Sequence, residues 1–149
     1  MEQSALGQLA AFNQLYKEMD KIYHLYAKRH GLSDAHLWML YSLYESEAHT
    51  QREICAIWHY SPQTVNSALK SLETQGLIVL TAIPGNKKNK LVGLTEKGKT
   101  FTQNIVAPLI LAEQKAFEGL TDEEREALVR FTSKYTELLQ TEVLTCLTL

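Results

Sequence analysis

Apolar side chains recur at spacings of three and four from residue 6 to residue 29, which predicts one long amphipathic helix. The members of this stripe are Leu9, Phe12, Tyr16, Met19, Ile22, Tyr23 and Tyr26. Gly31 is placed to end the helix, because glycine tolerates the left-handed backbone of a helix stop. Ser33 is placed to cap a second helix. The inner face of that second helix would carry Leu37, Leu40, Tyr41 and Tyr44.

The middle of the chain predicts a short helix, a tight turn and a second helix. Thr50 to Glu53 spells T-x-x-E, a capping box that opens the short helix. Its inward side chains would be Ile54, Ile57 and Trp58. After a turn at His59 and Tyr60, Ser61-Pro62 opens the next helix, which runs to about Gln75 and stops at Gly76. Its apolar face would consist of Val65, Ala68, Leu69 and Leu72.

A β-hairpin and two long helices complete the predicted elements. The hairpin pairs two β-rich runs, 77–81 and 90–94, around the turn signal Pro84-Gly85-Asn86. Thr95 caps a helix that reaches about Gly119 and that Pro108 should kink by removing a ladder hydrogen bond. A second T-x-x-E box at Thr121 opens the last helix. Its apolar side would carry Leu128, Phe131, Tyr135 and Leu138. The predicted fold class is mainly α with a small β-hairpin wing.

Composition places this pattern in one ordinary folded domain. The 149 residues are 45% hydrophobic and 21% charged, which excludes a largely disordered chain. The net charge is only −2, but residues 50–99 carry seven basic and three acidic side chains, a local charge of +4 between two acidic ends. Such an asymmetry indicates that the middle of the chain meets a polyanion. The longest apolar run, residues 105–112, is too short to span a membrane, and no secretory signal is visible, so we expect a cytoplasmic protein.

The outward side chains of the helix after Ser61 indicate which polyanion the chain binds. No charge occurs from Ser61 until Lys70, and the outer face carries uncharged hydrogen-bonding groups. Glutamine and asparagine can bond adenine edges through two hydrogen bonds, and serine and threonine can bond a base or a phosphate. A plain solvated helix is the alternative, although such a helix usually carries glutamate–lysine pairs. The helix order therefore predicts a winged helix-turn-helix that binds double-stranded DNA.

Two further segments would contact phosphates. Lysines at the hairpin tip can reach the flanking backbone, although lysine also protects edge strands from pairing. The 50–52 end of the short helix should offer unpaired N–H groups to an anion. The predicted DNA contacts are thus Thr50, Gln51, Arg52, Ser61, Gln63, Thr64, Asn66, Ser67, Lys70, Asn86, Lys87, Lys88 and Lys90.

Three stretches of the chain resemble the MarR family of bacterial regulators. They are Gln51-Arg52-Glu53-Ile54, then Ser61-Pro62-Gln63-Thr64-Val65 followed by Leu69-x-x-Leu72-Glu73-x-x-Gly76-Leu77-Ile78, and finally Leu94-Thr95-Glu96-Lys97-Gly98. The resemblance covers essentially the whole chain. It implies a DNA-binding lobe at 33–95 and a dimerisation lobe built from 1–32 and 96–149.

The sequence departs from the family pattern in two places. The wing tip carries Gly85-Asn86-Lys87-Lys88 where the family usually has an acidic residue followed by arginines. Lysine lacks the planar fork of arginine, so insertion of the wing into the minor groove should be weaker or absent. His59 replaces the turn glycine that is common between the two motif helices, and histidine tolerates a left-handed backbone with some strain.

The resemblance also implies a two-fold dimer, and the sequence supports one independently. The first helix carries more apolar surface than one small lobe needs. The tail Val143-Leu144-x-Cys146-Leu147-x-Leu149 is apolar without an obvious place in a monomer. Closed two-fold association would bury both, whereas the alternative is a monomer with a frayed tail.

The resemblance implies a small effector between the two lobes, and the candidate lining is Tyr16, Tyr23, His24, Tyr26, His36, Trp38 and Tyr41. Aromatic residues at helical spacing are equally typical of a core. Cys55 is expected to be a buried small hydrophobe and Cys146 to lie near the surface, neither placed where peroxide-sensing relatives hold a reactive thiol. The five histidines match no zinc pattern, so neither a metal nor a cofactor is predicted.

The function predicted from the sequence is a ligand-responsive repressor that binds a pseudo-palindromic operator as a homodimer. A dimeric winged-helix module that holds a protein partner without specific DNA binding is the alternative. An enzyme is not predicted, because the chain lacks the G-x-G-x-x-G, P-loop, H-E-x-x-H and G-x-S-x-G patterns.

Overall fold

The structure is a computed structural model that describes residues 4–46 and 48–147. Within those residues, six helices and three strands follow one another along the chain. They are α1 (Ala5–Arg29), α2 (Asp34–Glu45), β1 (Ala48–Thr50), α3 (Gln51–Trp58), α4 (Pro62–Thr74), β2 (Ile78–Ile83), β3 (Asn86–Leu94), α5 (Glu96–Glu118) and α6 (Asp122–Cys146). The predicted helical architecture with a β-hairpin is confirmed.

The helix starts lie where the capping residues predict them. The Ser33 hydroxyl accepts the N–H of His36 at 3.2 Å. Both capping boxes form, so the Thr50 and Thr121 side chains each accept a backbone N–H three residues on, and the glutamate returns the bond. Ser61 caps α4 with Pro62 at the first helical position. These local bonds satisfy N–H groups that a helix start otherwise leaves open.

Two residues with a left-handed backbone flank α4, one before its start and one after its end. His59 has φ +54° in the turn between α3 and α4, so the histidine does adopt the left-handed backbone expected there. Gly76 has φ +73° just beyond the end of α4, where the predicted helix stop requires it. The helix-turn-helix therefore has the bounds that the sequence predicts.

The sheet has three antiparallel strands in the order β1-β3-β2, one more than the sequence predicts. Thr50 pairs with Leu91 at the added edge, directly before α3 begins. The second hairpin strand begins at Asn86 rather than at the predicted Lys90, so the lysines belong to β3 and not to the turn. The register of β2 and β3 shifts between Ala82 and Ile83, leaving residues 87–89 as an irregular segment of β3. The hairpin of β2 and β3 is called the wing below.

The core of the helix-turn-helix region is apolar and continuous through α2, α3, α4 and the sheet. The four predicted inward residues of α4 are all buried, namely Val65, Ala68, Leu69 and Leu72. Ile54 lies opposite them, but Ile57 is 46% exposed, so the prediction that it points inward is wrong. Tyr44 is also exposed rather than inward, because Met39 and Leu43 fill the inner side of α2 beside the predicted Leu37 and Leu40.

The chain divides into two compact units, residues 1–108 and 109–149, with the boundary directly after Pro108. Pro108 lies inside α5, which continues to Glu118, and its predicted kink stays a prediction. In the first unit, the Tyr26 hydroxyl donates to the carbonyl of Ile105 at 2.7 Å. In the second unit, no residue of α6 is buried. Of the predicted apolar tail, Cys146 and Leu147 are exposed and Leu149 lies outside the described residues.

Candidate nucleic-acid interface

The two faces of α4 differ sharply in exposure. Its buried face consists of the four apolar side chains named above, whereas the opposite face presents Gln63, Asn66, Ser67 and Lys70, all exposed. The helix carries no acidic side chain in its first turn. An exposed row of amide and hydroxyl groups with one terminal cation has the hydrogen-bonding capacity to read base edges.

Two hydroxyls at the start of α4 are used within the helix. The Ser61 Oγ accepts the N–H of Thr64 at 3.2 Å. The same oxygen lies 2.9 Å from the Thr64 hydroxyl. Both side chains remain exposed, but their first role is to begin α4 and to fix its direction.

The start of α3 differs from the sequence prediction in one respect. The N–H of Arg52 is not unpaired, because it donates to the Asn89 side-chain oxygen at 3.2 Å. The N–H of Glu53 is likewise taken by the Thr50 hydroxyl at 3.2 Å. An anion at this end of α3 would therefore rely on the exposed Arg52 side chain more than on free N–H groups.

Asn89 connects the wing to the helix-turn-helix, a role that the sequence analysis missed. Its neighbours on β3 are lysines, so nothing local distinguishes it from a solvated strand residue. Its partner Arg52 lies 37 residues earlier in the chain. Only the folded sheet, with β1 leading directly into α3, brings the two together.

The wing presents its cations outward. Lys87, Lys88 and Lys90 are exposed, while the half-buried Asn86 turns its side chain into the wing. The Asn86 Oδ1 accepts the N–H of Lys88 at 3.2 Å and that of Asn89 at 3.1 Å. Asn86 thus shapes the irregular segment of β3, and its side-chain oxygen is already engaged.

One hydrogen bond joins the two motif helices across their outer side. The Gln51 Nε2 donates to the Asn66 Oδ1 at 3.2 Å. Gln51 is half-buried at the first position of α3, and Asn66 is exposed in the middle of the α4 outer face. Asn66, a candidate for contact with a base, and the start of α3 are therefore in direct contact.

A groove of about 440 Å³ lies between the start of α2 and the flank of α4. It is lined by Ser33, Ala35, His36, Gln63, Thr64, Ser67, Ala68 and Ser71. Burial lowers the pKa of His36 below its usual value of 6.5, because desolvation disfavours the imidazolium, and the backbone carbonyl of Ala68 offsets part of that effect. The His36 Nε2 is buried and has no hydrogen-bond partner among the described residues.

The seven candidate effector residues do not form one site. Tyr23 and Tyr41 both contact Trp38, with ring centroids 4.9 and 5.7 Å from it. Trp58, which the sequence analysis placed only in the core, stacks on Trp38 at 4.8 Å and donates to the Ser42 hydroxyl at 2.6 Å. These rings form a half-buried cluster across α1, α2 and α3.

The remaining candidates lie apart from that cluster. His24 bonds Asp34 at 3.0 Å on the surface, and Tyr16 is exposed. Tyr26 is held by its bond to Ile105, and burial raises the pKa of its hydroxyl. His36 lines the groove beside α4.

Searches for other chemistry concern the described part of the chain only. In residues 4–46 and 48–147, no three His, Cys, Asp or Glu side chains gather as a metal site. Over the same residues, every helix lacks the apolar length that a bilayer crossing requires. Cys55 is half-buried rather than fully buried as expected, and Cys146 is exposed.

Comparison with known proteins gives one consistent result. The model of the MarR family matches residues 30–88. A protein of Bacillus subtilis (strain 168) described as the uncharacterized HTH-type transcriptional regulator YybA is 29% identical over 125 residues, which is 80% of each chain.

Two solved structures are similar over nearly the full length. A putative MarR family transcriptional regulator from Listeria monocytogenes, crystallised with 26mer DNA, is 26% identical with a TM-score of 0.71, covering 97% of this chain and 93% of that one. The MarR family regulator NMB1585 from Neisseria meningitidis has a TM-score of 0.79 at 22% identity, covering 91% of this chain and 96% of that one, a similarity of fold.

Proposed function

We propose that this chain, which belongs to the MarR family of winged helix-turn-helix transcriptional regulators, binds an operator in double-stranded DNA as a homodimer and represses transcription until an effector releases it. The observation that carries the proposal is the outer face of α4, exposed and free of acidic side chains through its first turn. The Listeria relative, determined in complex with DNA, supports the same role for this chain. Because bacterial operators lie in the cytoplasm, the proposal includes that location.

In the proposed complex, α4 lies in the major groove. Gln63, Asn66 and Ser67 contact base edges, because they project from the exposed face and carry donors and acceptors. Lys70 contacts a phosphate at the far end of the same face. Ser61 and Thr64, which hold the start of α4, lie closest to the backbone that borders the groove.

The flanking phosphates are bound by the wing and by the start of α3. Lys87, Lys88 and Lys90 are exposed cations on β3, and each neutralised phosphate releases counterions. The Arg52 side chain is the corresponding cation of α3, with Thr50 and Asn86 holding the local backbone in place and Gln51 bonded to Asn66. These contacts position the protein and contribute affinity for every sequence.

Exposed apolar surface in each unit supports dimerisation. Large side chains along α1 and along α6 are exposed in the single chain, far more than a solvated helix needs. Two-fold association would cover such faces and would present two copies of α4 about 34 Å apart, one turn of B-form DNA. The operator is therefore proposed to be pseudo-palindromic.

An effector would act by shifting the population between dimer geometries. A ligand that prefers a spacing of the two α4 helices unsuited to the operator lowers its affinity for DNA. Tyr23, Trp38 and Tyr41 are the candidates for its contact, because they are half-buried and adjacent in the structure. Tyr16, His24, Tyr26 and His36 are secondary candidates.

The test is selection of bound fragments from the source genome, repeated at two salt concentrations. We expect enrichment of a pseudo-palindromic site and a steep linear fall of log K with log salt concentration. Changing Lys87 and Lys88 together to alanine should weaken binding to all sequences and reduce the salt slope by about 2, roughly one for each lost phosphate contact.

Gln63→Ala provides the contrast, since it should relax preference at particular operator positions and cost about 1–3 kcal/mol. An equal loss on every sequence would mean that Gln63 reads no base. If the chain selects no site and its binding does not depend on salt, the protein-interaction module replaces the regulator.

A further inference from the structure

The amide of Asn66 is held from one side by the first residue of α3. The Gln51 Nε2 donates to the Asn66 Oδ1 at 3.2 Å. An asparagine side chain on a solvated helix can turn either end of its amide outward, because the torsion before the amide has broad, roughly two-fold preferences. A donor placed at Oδ1 favours the orientation that leaves the Nδ2 hydrogens available to a ligand.

We propose that Gln51 is a positioning residue that sets the base preference of Asn66. This inference rests on the proposed function, since it concerns what α4 reads in the major groove. With its oxygen engaged by Gln51, Asn66 acts toward DNA as a hydrogen-bond donor. Its best partners are then guanine, which offers the acceptors N7 and O6, and thymine, which offers O4, since the acceptor N7 of adenine lies beside an amino group that donates.

This assignment differs from what the residue type alone predicts. A free asparagine is suited to adenine, whose N6 amino group donates to Oδ1 while N7 accepts from Nδ2. In this structure the Asn66 oxygen already accepts one hydrogen bond before DNA arrives. A base that offers an amino hydrogen at that place, adenine or cytosine, has to share this oxygen with Gln51 through its second lone pair.

The surroundings keep Gln51 in place. The Thr50–Glu53 capping box fixes the first turn of α3, with bonds of 2.7 and 3.2 Å. The N–H of Arg52, the next residue, is tied to Asn89 of the wing at 3.2 Å. The backbone that carries the half-buried Gln51 is therefore fixed, which favours the preorganisation that a reading contact needs.

The experiment is selection from a random duplex library with the full chain and three variants. Asn66→Ala identifies the operator position that Asn66 reads, as the position at which preference is lost. At that position the unmodified chain should prefer guanine or thymine on the contacted strand. Gln51→Ala should reduce that preference by about tenfold, the effect of roughly one hydrogen bond to a base.

Gln51→Glu is the decisive variant. A carboxylate only accepts hydrogen bonds, so it can pair with Asn66 only through Nδ2, which turns Oδ1 toward the DNA. We expect the preferred base at that position to change to adenine or cytosine. The variant should fold, because an acidic side chain is favourable in the first turn of a helix.

Gln103→Glu, an exposed site on α5, controls for the added negative charge. It should leave every base preference unchanged, whatever its effect on overall affinity. A merely structural role of Gln51 would lower affinity or stability in both of its variants without reversing a preference.

The outcomes separate the two proposals. If the unmodified chain selects no sequence, the proposed function fails and this inference falls with it. If it selects a site but Asn66→Ala changes no position, or the Gln51 variants leave that position as it was, only the inference is overturned. An unmodified preference for adenine or cytosine there also overturns it.

Discussion

At the residue scale, Thr95 joins the end of α4 to the start of α5. Its hydroxyl donates to the carbonyl of Gly76 at 2.6 Å and accepts the N–H of Gly98 at 2.9 Å. Its own N–H donates to the carbonyl of Leu77 at 3.1 Å. The segment after α4, Gly76-Leu77, and the segment that opens α5, Thr95 to Gly98, therefore satisfy each other's backbone groups.

Gly98 is required because the backbone of Leu77 passes directly over it. A Cβ at position 98 would overlap the Leu77 carbonyl oxygen and lie 2.8 Å from its carbonyl carbon. Gly98→Ala should therefore lower the free energy of unfolding by about 1–3 kcal/mol, since a backbone must move to make room. Urea denaturation measures the loss.

Gly7→Ala is the matched control for that substitution. Gly7 lies in the first turn of α1, where an added Cβ meets only the Ser4 hydroxyl at 3.6 Å, an ordinary contact. Alanine should stabilise this turn by up to about 1 kcal/mol, because glycine loses more conformational freedom in a helix. Similar changes at both positions would refute the close-approach explanation.

At the element scale, two separate sets of hydrogen bonds attach the wing to the helix-turn-helix. The first is the ladder between β1 and β3, in which Thr50 pairs with Leu91 immediately before α3. The second is the Asn89 side chain, which bonds the Arg52 N–H. The sequence predicts the hairpin but neither attachment, because β1 has only three residues and Asn89 lies among lysines.

Asn89→Ala should loosen the wing without unfolding the protein. The loss of one exposed hydrogen bond costs about 1 kcal/mol, so the melting temperature should change by only a few degrees. Amide exchange in the 86–90 segment should become faster, and DNA affinity should fall to a similar extent on all sequences, because the wing lysines are no longer held in position.

Asn104→Ala removes an exposed asparagine from α5 and serves as the control for the wing variant. In this variant, the backbone amides of the wing should exchange at the same rate as in the unmodified chain. Unchanged exchange in Asn89→Ala itself would mean that the β1–β3 ladder alone holds the wing.

At the scale of the whole molecule, apolar surface exceeds what the single chain covers. In α1 only Ala27 is buried, while Leu15, Met19 and Ile22 are 63%, 51% and 64% exposed. In α6 no residue is buried. Both helices nevertheless have the apolar stripes that the sequence predicts. Faces of this size on a folded chain indicate a further interface, which is why a homodimer forms part of the proposed function.

Met19→Glu combined with Ile22→Glu should shift the chain from dimer to monomer. Each side chain would occur twice in a two-fold interface, and burying one aliphatic side chain contributes about 1.5–3 kcal/mol. Sedimentation equilibrium measures the mass, and operator affinity should fall with it, because a monomer engages only one half-site.

Asn13→Glu adds a negative charge to α1 at a polar, exposed position on the opposite side of the helix from Leu15. It should leave the dimer intact. A dimer that survives the double substitution would exclude this face of α1 from the interface.

The sequence by itself determined the helices, the hairpin and the two faces of α4. Capping residues, helix-stopping glycines and apolar spacing are local signals, and each is read within about a turn of the residue that carries it. The same pattern that buries Val65 and Leu69 exposes Gln63 and Asn66, so the candidate reading face follows from periodicity alone.

Only the tertiary structure decided which polar groups are already in use. Gln51 reaches Asn66 and Asn89 reaches Arg52 because the sheet and the two helices bring distant segments to hydrogen-bonding distance. Ile57 likewise lies outside the core although its spacing fits. Local pattern fixes the direction of a side chain, whereas its partner depends on where the rest of the chain is folded.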